Sequence, residues 1–320
     1  MRDDVAHWLR TRSYPRHPWS AAELLDHKAG RRVSVVLPAR DEAGTVGPIV
    51  AALRTELVER IPLIDELVVI DSDSTDGTGA IAAAAGARVE RQADILPELG
   101  NIAGKGEALW KSLAVTRGEI LAFVDADLHD FDPRFVVGLL GPLLLDPGVR
   151  FVKGFYDRPL ETGLSIAPTG GGRVTELVAR PLLNMHWPAL SGLIQPLAGE
   201  YAGRRDLLER LPFVSGYGVE IAMLVDVLAV AGLDAIAQVD LGARAHRNSS
   251  DAALARMAVQ VQLAALSRLT GDAPGRVSFT QFFRSGDEFL PETHEIAVVE
   301  RPPILEVPGY HGGARAERVA

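Results

Sequence analysis

Asp125 and Asp127 stand two residues apart, just after the apolar run 120–124. At that spacing on an extended strand, two side chains point to the same side. Carboxylates held so close repel, and one is driven toward protonation unless a cation intervenes. A divalent ion resolves that conflict and can bridge a diphosphate at the same time. The competing reading is a solvated acidic turn after a strand. No Arg or Lys sits beside the pair in sequence to neutralise it, which favours the metal.

Three further groups could do chemistry with an anionic substrate. Gly170-Gly171-Gly172-Arg173-Val174-Thr175 opens a predicted helix, so its backbone N–H groups can approach an anion, and Arg173 and Thr175 can add charge-assisted bonds. The segment lacks the Gly-Lys-Ser/Thr ending of a nucleotide-hydrolysing loop, and a plain flexible loop is the alternative. His246, between Arg244 and Arg247, offers an imidazole to complete the protein's share of a metal shell, although a lone histidine is as often structural. Lys105 is flanked by Gly104 and Gly106 at a predicted helix start; it is either a surface lysine or a contact to a nucleotide and its phosphates.

The elements that must position these residues alternate regularly. Short β-branched runs at 33–37, 66–70, 87–91, 119–124 and 149–156 read as strands. Helical spacing appears at 46–60, 78–86, 104–117 and 135–145, with Thr75 or Asp76 as a cap for the second of these. The order predicts an α/β fold, a mostly parallel Rossmann-like sheet with helices on both faces. Ligands of such sheets bind beyond the carboxyl ends of the strands. Pro38-Ala39-Arg40-Asp41-Glu42, Asp71-Ser72-Asp73 and Asp125-Ala126-Asp127 all fall there.

Beyond 157 the pattern loosens. Helices are expected at 174–183, 219–231 and 252–269, and a strand at 235–241. Residues 1–31 read as an N-terminal extension packing on the outside, 32–157 as a nucleotide-sugar-binding half, and 158–275 as an acceptor-binding half. The remainder, 276–320, reads as a C-terminal segment with Pro302, Pro303 and Pro308, followed by a Gly/Arg tail of disordered composition.

Composition narrows the function. With 320 residues and 47% hydrophobic content, the chain can bury a large core. A net charge of −9 argues against nucleic acid as the main partner. The absence of cysteine excludes disulfides and leaves oxygen or imidazole as metal ligands. The stretch 221–236 is interrupted by Asp226 and Asp234, so a buried helix is expected there rather than a membrane span. No secretory signal is visible, and a cytoplasmic location is expected.

The motifs Val-Leu-Pro-Ala-Arg-Asp-Glu-Ala (36–43), Asp-Ser-Asp-Ser-Thr-Asp-Gly-Thr (71–78) and Asp-Ala-Asp (125–127) resemble those of GT-A glycosyltransferases. Four later segments are similar to the actinobacterial glucosyl-3-phosphoglycerate synthases: 170–177, Gln-Pro-Leu-Ala-Gly-Glu-Tyr (195–201), Gly-Tyr-Gly-Val-Glu (216–220) and 238–248. The resemblance implies a homodimeric, retaining enzyme that transfers glucose from UDP-glucose to the 2-hydroxyl of 3-phosphoglycerate, on the route to methylglucose lipopolysaccharides. It implies that Pro38, Ala39, Glu42, Ser72 and Lys105 hold the uridine diphosphate, with Arg244 beside the diphosphate. Asp127 and His246 would hold Mg2+ or Mn2+, with Asp125 facing the ribose or the metal shell. Gly172, Arg173 and Thr175 would take the acceptor phosphate, with Asn248 near its carboxylate. Tyr217 and Glu220 would meet the sugar or acceptor, and the Leu197 carbonyl would orient the reacting centre. Other readings of the same fold are transfer from GDP-mannose or GDP-glucose, a lipid phosphate acceptor, a nucleotidyltransferase, and a nucleotide-sugar-binding protein without turnover.

Overall fold

A computed structural model of the chain describes residues 1–16, 18–157, 160–162, 165–167, 172–243 and 250–312. Eight strands form one sheet: β1 (Ser13–Tyr14), β2 (Val33–Ala39), β3 (Glu66–Asp71), β4 (Arg88–Arg91), β5 (Ile120–Phe123), β6 (Phe151–Asp157), β7 (Tyr201–Arg204) and β8 (Ile236–Ala243), in the spatial order β1-β8-β6-β7-β5-β2-β3-β4. All neighbours pair in parallel except β7, which runs antiparallel to both β5 and β6.

The strands are apolar on both sides because both faces are covered. Val36, Val68 and Phe123 face a layer that includes Trp110 and Leu224. Val33, Val35 and Leu37 face the opposite layer, with Ile49 and Leu139. The helix Val219–Ala231 is buried along most of its length, as the interrupted apolar stretch predicts. No helix among the described residues is long and apolar enough to cross a membrane.

Three features differ from the sequence expectations. Residues 1–31 do not simply pack outside. The helix Asp3–Thr11 buries Val5 and Trp8, Trp8 Nε1 donates to the Ile236 carbonyl at 2.8 Å, and β1 extends the sheet edge beside β8. The fourth and fifth predicted strands are not neighbours, because β7 is inserted between them. The C-terminal segment holds an antiparallel hairpin, Arg276–Ser285 with Glu288–Ala297, and then Glu300–Arg301, which pairs with Phe213–Val214. Arg301 there reaches back to Glu107 at 2.7 Å, and the Pro302 carbonyl accepts from Trp110 Nε1 at 2.8 Å. The tail from 313 onward lies outside the described residues.

Candidate active site

The carboxyl ends of β2, β3 and β5 meet along one edge, but their acidic residues do different work. Asp71 accepts from the Ser74 amide at 3.0 Å, Asp76 from the Ala43 amide at 2.9 Å, and Asp41 from the Thr75 amide at 2.8 Å. In return Ser74 Oγ and Thr78 Oγ1 accept from the Asp41 and Glu42 amides at 3.0 and 2.8 Å. These bonds lace the loop after β2 to the loop after β3. Carboxylates that satisfy backbone donors in this way shape a pocket wall rather than take a ligand. Asp41 and Asp73 adopt left-handed conformations, φ 57° and 59°, which aspartate tolerates better than most residues.

The wall holds the residues expected to read the nucleotide. Pro38 and Ala39 pair with Ile70 and Asp71 across the sheet, and the Ser72 amide donates to the Ala39 carbonyl at 2.9 Å. Ser72 Oγ donates to Gln92 at 2.8 Å. Gln92 is buried and donates onward to Asn101 and the Ile102 carbonyl at 2.7 and 3.0 Å, and its own carbonyl accepts from Lys111 at 2.9 Å. Ser72 is therefore fixed from behind by a satisfied polar network, which preserves its orientation.

Asp125-Ala126-Asp127 lies beyond the last residue of β5, in a turn. The strand argument for a shared side chain direction therefore does not apply to this pair. What presents the turn is Thr45, which precedes the helix Val46–Leu53: its hydroxyl donates to the Ala126 carbonyl at 2.6 Å. Gly199 lies under Asp125, and a Cβ at Gly199 would overlap the Asp125 carboxylate.

The expectation that the aspartates have no basic partner is overturned. Lys105 Nζ sits 2.5 Å from Asp125 Oδ1 and 2.9 Å from Glu220 Oε1. Sequence distance hid this pairing; two glycines make it. Gly104 has φ 124°, and a Cβ on it would stand 2.6 Å from the Gly216 amide nitrogen. One on Gly106 would overlap the Val214 carbonyl. The helix Lys105–Val115 can thus press its first turn onto 214–216, directly before the helix that carries Glu220. Burial disfavours the Lys105 charge, but Asp125 and Glu220 outweigh it and hold the amine well above its ordinary value. Tyr217 is half exposed; partial burial of its phenol pushes its pKa up, Lys105 works against this, and Asp125, Glu220 and Asp127 add to it.

Behind this cluster stand residues that sequence reasoning missed. Lys153, in the middle of β6, is 1% exposed, and burial lowers its amine to about 7. Its Nζ donates to the Ala198 carbonyl at 2.6 Å and lies 4.4 Å from the Tyr201 ring centre. Tyr201 and Glu200 are buried beside it, and burial and Glu220 raise the Tyr201 phenol well above its usual value. A lysine inside an apolar strand was the signal that could have found this layer.

The acceptor candidates lie on a neighbouring segment. Gly172 has φ 82°, its carbonyl accepts from the Glu176 amide at 3.0 Å, and Thr175 is buried. Arg173 pairs with Asp251, whose side chain is 89% exposed. An ion pair with so exposed a partner contributes little and yields readily to a phosphate. Thr175–Ala179 and Gly216–Gly218 both pack against the helix Asp251–Thr270, which links this segment to Tyr217. Leu197 lies in the turn that carries Gly199, partly buried against the core. Arg244, His246 and Asn248 lie outside the described residues, as do Gly170 and Gly171.

Among the described residues no three metal-ligating side chains converge. The hard carboxylate oxygens of Asp125 and Asp127 do fit Mg2+ or Mn2+ in kind, with diphosphate oxygens supplying the balance of the shell. When bound, such an ion neutralises charge on a departing diphosphate.

A mostly parallel α/β sheet whose carboxyl edge presents these carboxylates, with a partly buried lysine between two of them, is the architecture of a GT-A glycosyltransferase. Residues 34–144 match the family described as glycosyl transferase family 2. The chain is 52% identical over 297 residues to the glucosyl-3-phosphoglycerate synthase of Mycolicibacterium smegmatis, covering 93% of this chain and 97% of that one. A crystal structure of the Mycobacterium tuberculosis glucosyl-3-phosphoglycerate synthase with Mn2+, UDP-glucose and phosphoglyceric acid matches at a TM-score of 0.80 and 46% identity, over 91% of this chain and 98% of that one. A mannosyl-3-phosphoglycerate synthase from Rubrobacter xylanophilus matches at a TM-score of 0.85 and 40% identity, over 94% and 97%. The chain belongs to the glucosyl-3-phosphoglycerate synthase family.

Proposed function

We propose that the protein transfers glucose from UDP-glucose to the 2-hydroxyl of 3-phosphoglycerate, with retention at the anomeric carbon and with Mg2+ or Mn2+ as cofactor. The observation that carries this reading is identity above one half along nearly the whole of a named synthase. The geometry supplies what the reaction needs. The departing UDP gains most of the developing negative charge, and Lys105 stands ready as a preorganised cation at the strand edge. Glu220, paired with Lys105, accepts hydrogen bonds from sugar hydroxyls in this reading rather than attacking carbon. Arg173 and Thr175 take the acceptor phosphate, and Asn248 its carboxylate; His246 joins Asp127 at the metal. Retention follows from front-face attack, with the acceptor hydroxyl handing its proton to the leaving phosphate. The product is a precursor of methylglucose lipopolysaccharides.

The Rubrobacter likeness gives a second reading, mannosyl transfer, a specific basis. The two are separated by offering UDP-glucose, GDP-glucose and GDP-mannose, each with 3-phosphoglycerate, with Mg2+ or with chelator, and weighing the products by mass spectrometry. A glucosyl product from UDP-glucose, lost on chelation, is expected. A hexosyl product from GDP-mannose alone would replace the reading.

The acceptor assignment has its own test. Arg173→Ala should raise KM for 3-phosphoglycerate about 10- to 100-fold, the worth of a charge-assisted bond. The KM for UDP-glucose should stay within about twofold. A change confined to the donor KM rejects the assignment.

A homodimer belongs to the same proposal. The hairpin Arg276–Ser285 and Glu288–Ala297 leaves Phe282 67% and Phe289 61% exposed on one of its faces, an apolar surface suited to a second copy. Light scattering on the purified chain should return twice the mass of one chain; a monomer at micromolar concentration would refute it.

A further inference from the structure

We infer that Lys153 is a positioning residue for this reaction, holding the turn 195–200 so that both the Leu197 backbone and the Asp125 carboxylate stand where the chemistry needs them. This inference rests on the functional reading above, because it concerns how that site is held.

The turn carries Leu197, and it carries Gly199, on which the Asp125 carboxylate lies so closely that a single added carbon would displace it. Movement of the turn therefore moves Asp125, and Lys105 with it. Strand β6 grips the turn at successive residues. Lys153 Nζ donates to the Ala198 carbonyl at 2.6 Å, and the Gly154 amide donates to the Glu200 carbonyl at 2.9 Å. The Tyr156 amide donates to Gln195 Oε1 at 3.2 Å, and Gln195 Nε2 donates back to the Tyr156 carbonyl. The turn closes on itself through the Ala198 amide and the Gln195 carbonyl at 3.1 Å. Of these grips, the Gly154 bond is made by the backbone, whereas the bond to Ala198 needs a long side chain with a terminal donor.

That donor is costly to keep. Lys153 is 1% exposed, and burial works against its charge. The charged groups that act on it come from several elements: Glu220 on the helix Val219–Ala231, Lys105 on the helix Lys105–Val115, Asp125 after β5 and Glu200 on the turn, with the Tyr201 ring of β7 beside it. A methionine would fill the same volume without that cost, so packing alone does not account for a lysine here. Its contacts point to the turn and, through Gly199, to Asp125.

The test measures kcat, both KM values and thermal unfolding for the full-length wild type, Lys153→Met and Lys153→Gln. Lys153→Met should stay folded and lose about 10^2-fold in kcat, the loss that a misplacement near 1 Å causes. Both KM values should stay within about threefold. Lys153→Gln, which keeps a terminal N–H donor, should recover part of the loss. A folded Lys153→Met with kcat within twofold of wild type, or a loss confined to KM, overturns the inference. Should Lys153→Met not fold, Gly199→Ala probes the same linkage from the turn, and wild-type kcat in that variant overturns it equally. A wild type that makes no glucosyl product sinks the functional reading; an active wild type beside an equally active Lys153→Met sinks this inference alone.

Discussion

Asp127→Ala should abolish metal-dependent turnover, by about 10^3-fold or more, while the protein stays folded. The magnitude follows from the several kcal/mol of charge stabilisation that a bound divalent ion supplies, at about 1.4 kcal/mol for each tenfold. Folding should survive because Asp127 lies in a turn beyond β5, is only partly buried, and belongs to none of the backbone ties that lace the β2 and β3 loops. The turn itself is held by Thr45 through the Ala126 carbonyl, which the substitution leaves in place. Circular dichroism and thermal unfolding should match wild type within the small range usual for partly exposed positions. Titrating Mg2+ or Mn2+ should restore nothing in Asp127→Ala, whereas it should restore chelated wild type. Wild-type turnover in the variant would remove Asp127 from the metal role altogether.

Lys105→Met should cost both turnover and stability, and the two losses should be separable. The lysine is the cation between Asp125 and Glu220, at 2.5 and 2.9 Å. Removing one partner of a buried charge group costs about 3–5 kcal/mol, because the remaining charges are left uncompensated. Removing a preorganised donor from the developing charge costs about 10^2- to 10^3-fold in kcat. Lys105→Met, Glu220→Gln removes one of the two stranded charges and leaves Asp125. It should regain part of the stability and none of the turnover. Recovery of activity in the double variant would show that Lys105 serves the fold alone. Lys105→Arg should not substitute, since a guanidinium is bulkier and projects its donors in a plane.

The same lysine fixes a pH dependence. Its folded pKa is raised well above 10.5, so the unfolded chain releases that proton first as pH rises. The stability it contributes is full below pH 10.5 and is lost as pH climbs through the higher folded value. In Lys105→Met that alkaline loss should vanish. Urea midpoints for the two proteins should draw together as pH rises past 10.5 toward the higher folded value, and a constant gap at all pH values would contradict the pairing.

Much of this was readable from residue order. Runs of Val, Ile and Leu ending in Pro-Ala-Arg-Asp-Glu, Asp-Ser-Asp and Asp-Ala-Asp announce parallel strands with polar carboxyl ends, because a strand covered on both faces must be apolar until it leaves the sheet. Lys105, Asp125, Asp127 and Arg173 could each be singled out by type and context, and Glu220 through the resemblance of the segment 216–220. Strand β7 could not: Tyr-Ala-Gly-Arg has weak strand preference, and its conformation comes from the two strands that flank it. The C-terminal hairpin was legible but missed: Val277, Phe279, Thr280, Phe282 and Phe283 favour a strand, and Gly286-Asp287 a turn.

Sequence order by itself determined the fold class, the edge where ligands gather and the inventory of groups that could serve there. Only the tertiary structure decided their division of labour. It tied Asp41, Asp71 and Asp76 into loop bonds, set Lys105 between Asp125 and Glu220, and placed Lys153 under the turn 195–200, against which the Asp125 carboxylate rests. Propensity and periodicity act over a few residues, whereas the burial of a charge and the partner that stabilises it come from segments far apart in the chain. That is why the carboxylates could be found by reading along the chain, and their cations only by folding it.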